Sequence, residues 1–409
     1  MVSPTRTLQV VGFLDMVAAG LIMPQMPPHA AIRLGFNHIQ IGLVMSLFSG
    51  CQMIAGPLIG SLSDVKGRKR ILLLCLSICI FAYAYMGITA SFYVFFGLRA
   101  ILGLFKQTQF LTNALTADYE KDSKKQAILY GKLLSLSGLG MTSGPVLSGH
   151  IMEAYPDNGF TIIAFIVATI FALNTVLIYL LPDTKKVAKP KDIALTSKLF
   201  GSLANSLKQS VAEFYNVDWK IYWDTFLFKL LITLSIGLYF SSFALFLKVK
   251  HDVSSANLGY IMSFQGAIGA FSTYFIGYVN KFYENDKTYS RRITHLFITL
   301  TLSLLGIALV PSVSMIVALL IPKAISGAVG RTITLEMITS RSKESHRGTV
   351  MGAANSIRSL SGVVTPIIGG LVMQYFGIVY VFYLASIFTG LGIFVSYRMN
   401  PKIVKTKTK

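Results

Sequence analysis

The stretch Gly60-Ser61-Leu62-Ser63-Asp64-Val65-Lys66-Gly67-Arg68-Lys69-Arg70 is a compact charged turn between two apolar runs, each long enough to cross a bilayer. Its residue types suit a latch between helix ends. Gly60 removes a side chain where two helices must touch, and Gly67 permits a turn with positive φ. Asp64 can face the positive N-terminal end of another helix, and Arg68 can clamp that carboxylate. The simpler alternative is a basic juxtamembrane turn that only obeys topology.

Outward from this turn the chain stays apolar. Hydrophobic residues make up 53% of its 409 residues and charged residues only 13%, so lipid is the solvent for most of it. Runs of about 18 or more mostly apolar residues occur twelve times, near 8–28, 37–61, 71–89, 91–116, 127–151, 160–181, 221–247, 255–279, 293–310, 312–337, 348–373 and 376–397. The predicted class is an all-α membrane protein of twelve transmembrane helices. A net charge of +20 raises nucleic acid as a partner, but the distribution of that charge argues against it. Of 37 Lys and Arg residues, 27 fall in segments on the N-terminal side of the membrane, three (Arg33, Lys248, Lys250) on the other side, and seven inside spans. The positive-inside rule then places both termini in the cytoplasm, which requires an even number of spans. Anionic headgroups are the expected partner of this basicity. The first span lacks a small-residue cleavage site and contains Asp15 and Pro24, so it reads as a retained helix. Cys51, Cys75 and Cys79 all lie in apolar spans and read as core residues, while the six histidines are scattered without ligand spacing. No disulfide frame, metal or cofactor is expected.

The chain divides into two halves, 1–181 and 221–409, joined by a polar cytoplasmic linker at 182–220. Within the linker, Leu199, Leu203, Leu207, Val211 and Phe214 recur at helical spacing, which predicts an amphipathic helix lying on the membrane surface. The halves repeat each other weakly. Gly131 to Gly149 aligns with Gly352 to Gly370 at a constant offset, bringing Pro145 onto Pro366, and Arg99-Ala100-Ile101-Leu102-Gly103 matches Lys323-Ala324-Ile325-Ser326-Gly327. Such a parallel repeat places a solute near the midplane between the halves, with access alternating as they rock.

Polar residues inside the spans carry the chemistry. The fifth span holds Gly131, Gly140, Gly144, Pro145, Ser148 and Gly149. Glycines on one face let a helix approach its neighbour and Pro145 kinks it, predicting a tight hinge and a seal, with a generic small-residue interface as the alternative. In the fourth span Arg99, Lys106 and Asn113 stand seven residues apart, stacked on one face with Gly103. A charge at mid-helix costs at least ~2.5–3.5 kcal/mol, so these residues are expected on a wet cavity or against a partner. Asp15 is the expected partner of Arg99: a carboxylate that gains and loses that neighbour makes a proton switch, whereas a static pair only orients two helices. The second half adds Asp224, Lys229, Lys323, Arg331 and Arg358 to the expected solute cavity with Lys106 and Asn113. Seven bases, Lys132 included, face three acids, Asp15, Asp224 and Glu336, within the spans. That excess favours anionic or zwitterionic solutes over simple organic cations.

Several of these motifs resemble the major facilitator superfamily. The Gly60–Arg70 turn resembles its loop between helices 2 and 3, with Val65 where an arginine is usual. Gly131 to Gly149 resembles its antiporter-associated fifth-helix motif, with Ser148 in place of a glycine, and Arg99 with Gly103 resembles a fourth-helix motif linked to proton transfer. Gly12-Phe13-Leu14-Asp15-Met16, ahead of Gly20 and Pro24, looks like the first helix of the tetracycline and multidrug proton antiporters. Gly103-Leu104-Phe105-Lys106-Gln107-Thr108, Trp223-Asp224-Thr225-Phe226-Leu227-Phe228-Lys229, Leu258-Gly259-Tyr260-Ile261-Met262-Ser263 and Ala328-Val329-Gly330-Arg331-Thr332 resemble an animal branch related to those antiporters, over nearly the whole chain. The resemblance implies two six-helix bundles related by a pseudo-two-fold axis. In the second half the equivalent turn, Gly277-Tyr278-Val279-Asn280-Lys281, has lost the acid, so weaker gating contacts are expected there.

Two function classes follow. The first is proton-coupled exchange of a small organic solute, with Asp15 titrating against Arg99. The second is an uncoupled facilitator or a transporter-shaped sensor or regulator. An enzyme is not expected, because no nucleophile–base group, metal cluster or nucleotide loop stands out. The expected partners are protons, a small solute and membrane lipid, with the protein a monomer.

Overall fold

The computed structural model describes residues 3–183, 218–286, 288–342 and 344–397. Among these the chain is helical, with local sequence setting where each helix starts and stops. Asn37 opens α3 (His38–Lys66) with a full capping box: the Gln40 N–H donates to Asn37 Oδ1 at 2.8 Å, and the Asn37 N–H donates to Gln40 Oε1 at 2.9 Å. Asp122 opens α7 (Ser123–Ala154) by accepting from the Lys124 N–H at 2.8 Å. Gly67, at φ 97°, is the single residue between α3 and α4 (Arg68–Met86), a conformation that costs a residue with a Cβ far more than glycine.

The twelve expected spans appear as helices, three of them broken. The first is α1 (Pro4–Ile22) followed by α2 (Met26–Ile32), separated by a turn next to Pro24. The fourth is α5 (Phe92–Phe105) followed by α6 (Thr108–Tyr119). The eighth is α10 (Ser255–Tyr274) followed by α11 (Ile276–Lys281). The others are α3, α4, α7, α8 (Gly159–Tyr179), α9 (Trp219–His251), α12 (Ser290–Leu309), α13 (Val313–Arg341), α14 (Glu344–Tyr375) and α15 (Ile378–Tyr397). Nine helical stretches among the described residues are long and apolar enough to cross a membrane by length and composition alone. The spans outside that set are the fourth, the fifth and the eighth. The fourth is split into two short helices, and α7 and α10 are rich in glycine and serine. The expected amphipathic helix at 199–214 lies outside the described residues.

Two compact units are distinguished, Met1–Lys208 with Leu247–Gly266 and Gln209–Phe246 with Ala267–Lys409. In the first, α1 packs along α7 and α8, and α3 along α5. Its core includes Leu8, Leu76, Phe95, Leu102 and Phe171, all fully buried. In the second, α12 packs between α13 and α15, around Phe228, Phe297, Ile333 and Met337. These interiors are aliphatic and aromatic, so polar groups placed inside them must find partners there.

Candidate functional site

The charged turn forms an ion cluster. Arg68 donates from Nε and Nη2 to Asp64 Oδ1 at 3.2 and 3.0 Å, and from Nη1 to Asp118 Oδ1 and the Ala114 carbonyl, both at 2.9 Å. One guanidinium thus ties the end of α3 to the end of α6, using the fork geometry that suits carboxylates. A Cβ on Gly60 would stand 3.2 Å from the Phe110 ring, so the close approach of α3 and α6 depends on that glycine. Lys69 adds an ion pair with Asp183 at 3.1 Å.

The second unit builds a similar cluster, and the weaker gating expected there is not what the structure shows. Arg292, at the start of α12 and only 6% exposed, donates from Nη1 to Asn280 Oδ1 at 2.9 Å and from Nη2 to Glu336 Oε2, while its backbone N–H donates to Asp286 at 2.7 Å. Asn280 supplies an amide oxygen in a role that Asp64 fills with a carboxylate, and Glu336 supplies the charge. The lost acid is replaced from a different helix. Glu336 is therefore a cluster residue. In sequence Arg292 is one of the four bases of the polar segment 280–292, and no local pattern there sets it apart from its neighbours.

Asp15 pairs with Lys106, which corrects the expected pairing with Arg99. The Lys106 ammonium donates to both carboxylate oxygens at 3.2 Å, with Asp15 0% and Lys106 11% exposed. The reason is a break in the fourth span. Lys106 leaves helical geometry at ψ 66°, so its side chain escapes the periodic face on which sequence placed it. Arg99, Lys106 and Asn113 do not form one stacked face: Asn113 is exposed, on α6 beyond the break. The chain opened by the break is stitched by side chains, Gln52 donating to the Lys106 carbonyl at 3.3 Å and Gln107 donating to the Gln52 carbonyl at 3.4 Å. Arg99 is 6% exposed, lies 4.2 Å from the Phe48 ring centroid, and has an Nε with no hydrogen-bond partner.

Behind Asp15 stands the glycine helix. Cβ atoms on Gly140 and Gly144 would meet the Phe13 carbonyl and the Gly20 backbone, each at 2.5 Å, so α7 touches α1 backbone to backbone on both sides of Asp15. Gly131 has open space around it and takes no part in that contact, unlike its place in the motif suggests. Gly149 lies against Ser255 of α10, where a Cβ would come within 2.5 Å of the carbonyl oxygen. Nearby, Glu153 accepts from the Ala256 N–H at 2.9 Å, capping α10, and His150 Nε2 lies 2.8 Å from the Tyr260 hydroxyl. The Ala256 hydrogen bond, followed by one from the Ser254 hydroxyl, holds the Glu153 carboxyl below its usual range.

In the second unit Asp224 is bound by Arg341, whose Nη1 donates to its two oxygens at 2.6 and 2.8 Å and to the Thr225 hydroxyl at 3.1 Å. This corrects its place in the solute cavity: the start of α9 and the end of α13 meet there, and the carboxylate is consumed as a clamp. Lys229, Lys323, Arg331 and Arg358 pair with no acid among the described residues. Lys323, 5% exposed, lies over the rings of Tyr239 and Phe240 at 3.5 and 4.5 Å from their centroids, a cation–π arrangement.

A family model described as the Major Facilitator Superfamily matches residues 8–285 and 225–409. The chain belongs to that superfamily. It is therefore a multi-pass integral membrane transporter of small solutes, not an enzyme. Among relatives, the class D tetracycline resistance protein of Salmonella ordonez is 29% identical over 196 residues, covering 46% of this chain and 48% of that protein. Solute carrier family 22 member 18 of Mus musculus is 24% identical over 370 residues, 86% of this chain and 85% of that one. The fold matches the nucleoside transporter NupG at a TM-score of 0.74, with 15% identity and 99% of both chains covered. It also matches the human organic anion transporter MFSD10 at 0.62, with 20% identity over 96% of this chain and 98% of that one.

Proposed function

We propose that this superfamily member is a proton-coupled antiporter of a small organic anion or zwitterion, working by alternating access. The buried Asp15–Lys106 pair carries the reading. It joins a carboxylate on α1 to an ammonium at the break between α5 and α6, a place where the backbone already departs from a rigid helix. Protonation of Asp15 removes the charge that holds Lys106, and loss of the proton restores it, so the pair converts a proton into a change of side-chain partner. The resemblance of the first helix to the tetracycline and multidrug proton antiporters supports the same role. Arg99, buried and with no acid beside it among the described residues, is the cation to which a displaced Asp15 would turn. Lys106, Asn113, Lys229, Lys323, Arg331 and Arg358 contribute the solute cavity, and the Arg68 and Arg292 clusters form cytoplasmic latches. Both termini are cytoplasmic, the halves are 1–181 and 221–409 with a linker at 182–220, and the working unit is a monomer among anionic lipids.

The test is uptake of a broad metabolite mixture into proteoliposomes, with and without an imposed pH gradient, for the wild type and Asp15→Asn. Gradient-driven uptake that disappears in the variant supports the reading. Gradient-independent uptake that the substitution leaves intact sinks it. A second reading has one observation in its favour: Lys106 already reaches both oxygens of Asp15, as a static strut would. Under that reading the protein is an uncoupled facilitator, or a sensor that moves nothing.

A further inference from the structure

The second unit contains a run of positive charge that its own acids do not balance. Helices α9 and α14 pack side by side in parallel register: Thr233 Oγ1 lies 2.9 Å from Ser361 Oγ, and a Cβ on Gly237 would come within 2.5 Å of Thr365 Oγ1. One turn before these contacts stand Lys229 on α9 and Arg358 on α14. The packing that fixes the contacts therefore sets two cations on neighbouring turns of adjacent helices. A Cβ on Gly330 of α13 would come within 3.3 Å of Ile232 of α9, and Tyr239 of α9 lies under an α13 ammonium, so the same packing brings in Arg331 and Lys323. On α13 the last two share a face with Gly327, and Arg331 folds back so that its Nη1 would be 3.8 Å from a Cβ there, as helical side chains lean toward the N-terminus. Four positive groups on three packed helices thus line one stretch of the second unit.

None of the four meets a carboxylate among the described residues. Arg331 donates to the Thr273 hydroxyl at 3.1 Å, and Lys323 rests on Tyr239 and Phe240. The two acids in the spans of this unit are used up elsewhere, Asp224 by Arg341 and Glu336 by Arg292. Lys323 is buried and Lys229 half-buried, while Arg331 and Arg358 are exposed and so within reach of a solute; within membrane-spanning helices, clustered like charges are costly unless a counter-charge joins them. A monoanion leaves three of the four charges uncompensated, and a zwitterion adds another cation to the same field. We infer that the second unit holds a site for an organic solute bearing two or more negative charges on carboxylate or phosphate oxygens, with Lys229 and Arg358 at one end and Arg331 and Lys323 at the other. The inference rests on the reading of this protein as an anion transporter and narrows it to polyvalent oxyanions.

Binding and uptake test the two readings separately. The purified full-length protein is titrated in detergent with four-carbon probes of different charge, butyrate, γ-aminobutyrate and succinate, and with citrate and glycerol 3-phosphate. The expected result is that at least one polyvalent probe binds tenfold or more tightly than butyrate and γ-aminobutyrate, with affinity falling as salt rises. Lys229→Gln and Arg358→Gln should each weaken that binding roughly tenfold to a hundredfold, the loss of one charge-assisted hydrogen bond. Lys229→Arg and Arg358→Lys, which keep the charge, should retain most of it and control for folding. Lys132→Gln, at an exposed position of α7 in the other unit, should change nothing. If every polyvalent probe binds no better than butyrate, or binding ignores the Gln variants, the site is overturned. Binding of a polyvalent probe without pH-driven uptake into liposomes upholds the site and sinks proton-coupled antiport. Uptake of butyrate or γ-aminobutyrate with no preference for polyvalent probes does the reverse.

Discussion

At the scale of single residues, the Asp15–Lys106 pair dominates because it is buried, with Asp15 0% and Lys106 11% exposed. Removing one member of a buried pair strands the other, at a cost of about 3–5 kcal/mol. Lys106→Gln is therefore expected to lower the thermal midpoint of the detergent-solubilised protein sharply, and Asp15→Asn with Lys106→Gln together should recover most of the loss. Additive losses in that double-mutant cycle would mean the two side chains do not interact. Both residues were legible in the sequence as intramembrane charges. Their pairing was not, because seven-residue spacing assumes an unbroken helix and the chain turns at Lys106. Arg341 was missed as the partner of Asp224 for a related reason: the two lie 117 positions apart, and no local pattern links them.

At the scale of helices, close packing and helix propensity make predictions of opposite sign for two glycines of α7. An alanine at Gly144 would press on the backbone of α1, which cannot give way as a flexible side chain can, so Gly144→Ala should destabilise by roughly 1–3 kcal/mol. Gly131→Ala, inside α7 with nothing within 4 Å, should stabilise by roughly 0.5–1 kcal/mol, the helix-propensity gain of alanine over glycine. Chemical denaturation of the two variants side by side checks this, and equal losses would remove the α1–α7 contact as the cause. The Glu153 cap on α10 gives a pH signature. Its carboxyl is held below the ordinary value of about 4.3. It therefore contributes fully above that value and loses its contribution as pH falls through the lowered one. Wild-type protein should show a step in thermal midpoint below about pH 4 that Glu153→Gln lacks. The glycine spacing announced a close helix contact, but the sequence could not tell which glycines meet a neighbour, since that depends on what stands opposite each one.

At the scale of the whole molecule, the distribution of Lys and Arg sets orientation. In a cysteine-free background, Asp157→Cys, in the turn between α7 and α8, should react with a membrane-impermeant maleimide from the non-cytoplasmic side. Lys121→Cys, in the turn between α6 and α7, should react only after permeabilisation. Labelling of both from one side would overturn the topology. Sequence alone determined the fold class, the span count and this charge asymmetry, because burial in lipid demands long apolar helices and the insertion rule acts on linear segments. It also located nearly every residue that carries charge into the membrane. Only the tertiary structure decided who meets whom: Asp15 with Lys106, Asp224 with Arg341, Arg292 with Asn280 and Glu336, and four cations of the second unit with no acid among the described residues. Those partnerships depend on helix breaks and on packing between distant segments, where a turn of one helix or a missing Cβ on another moves a charge from one neighbour to the next.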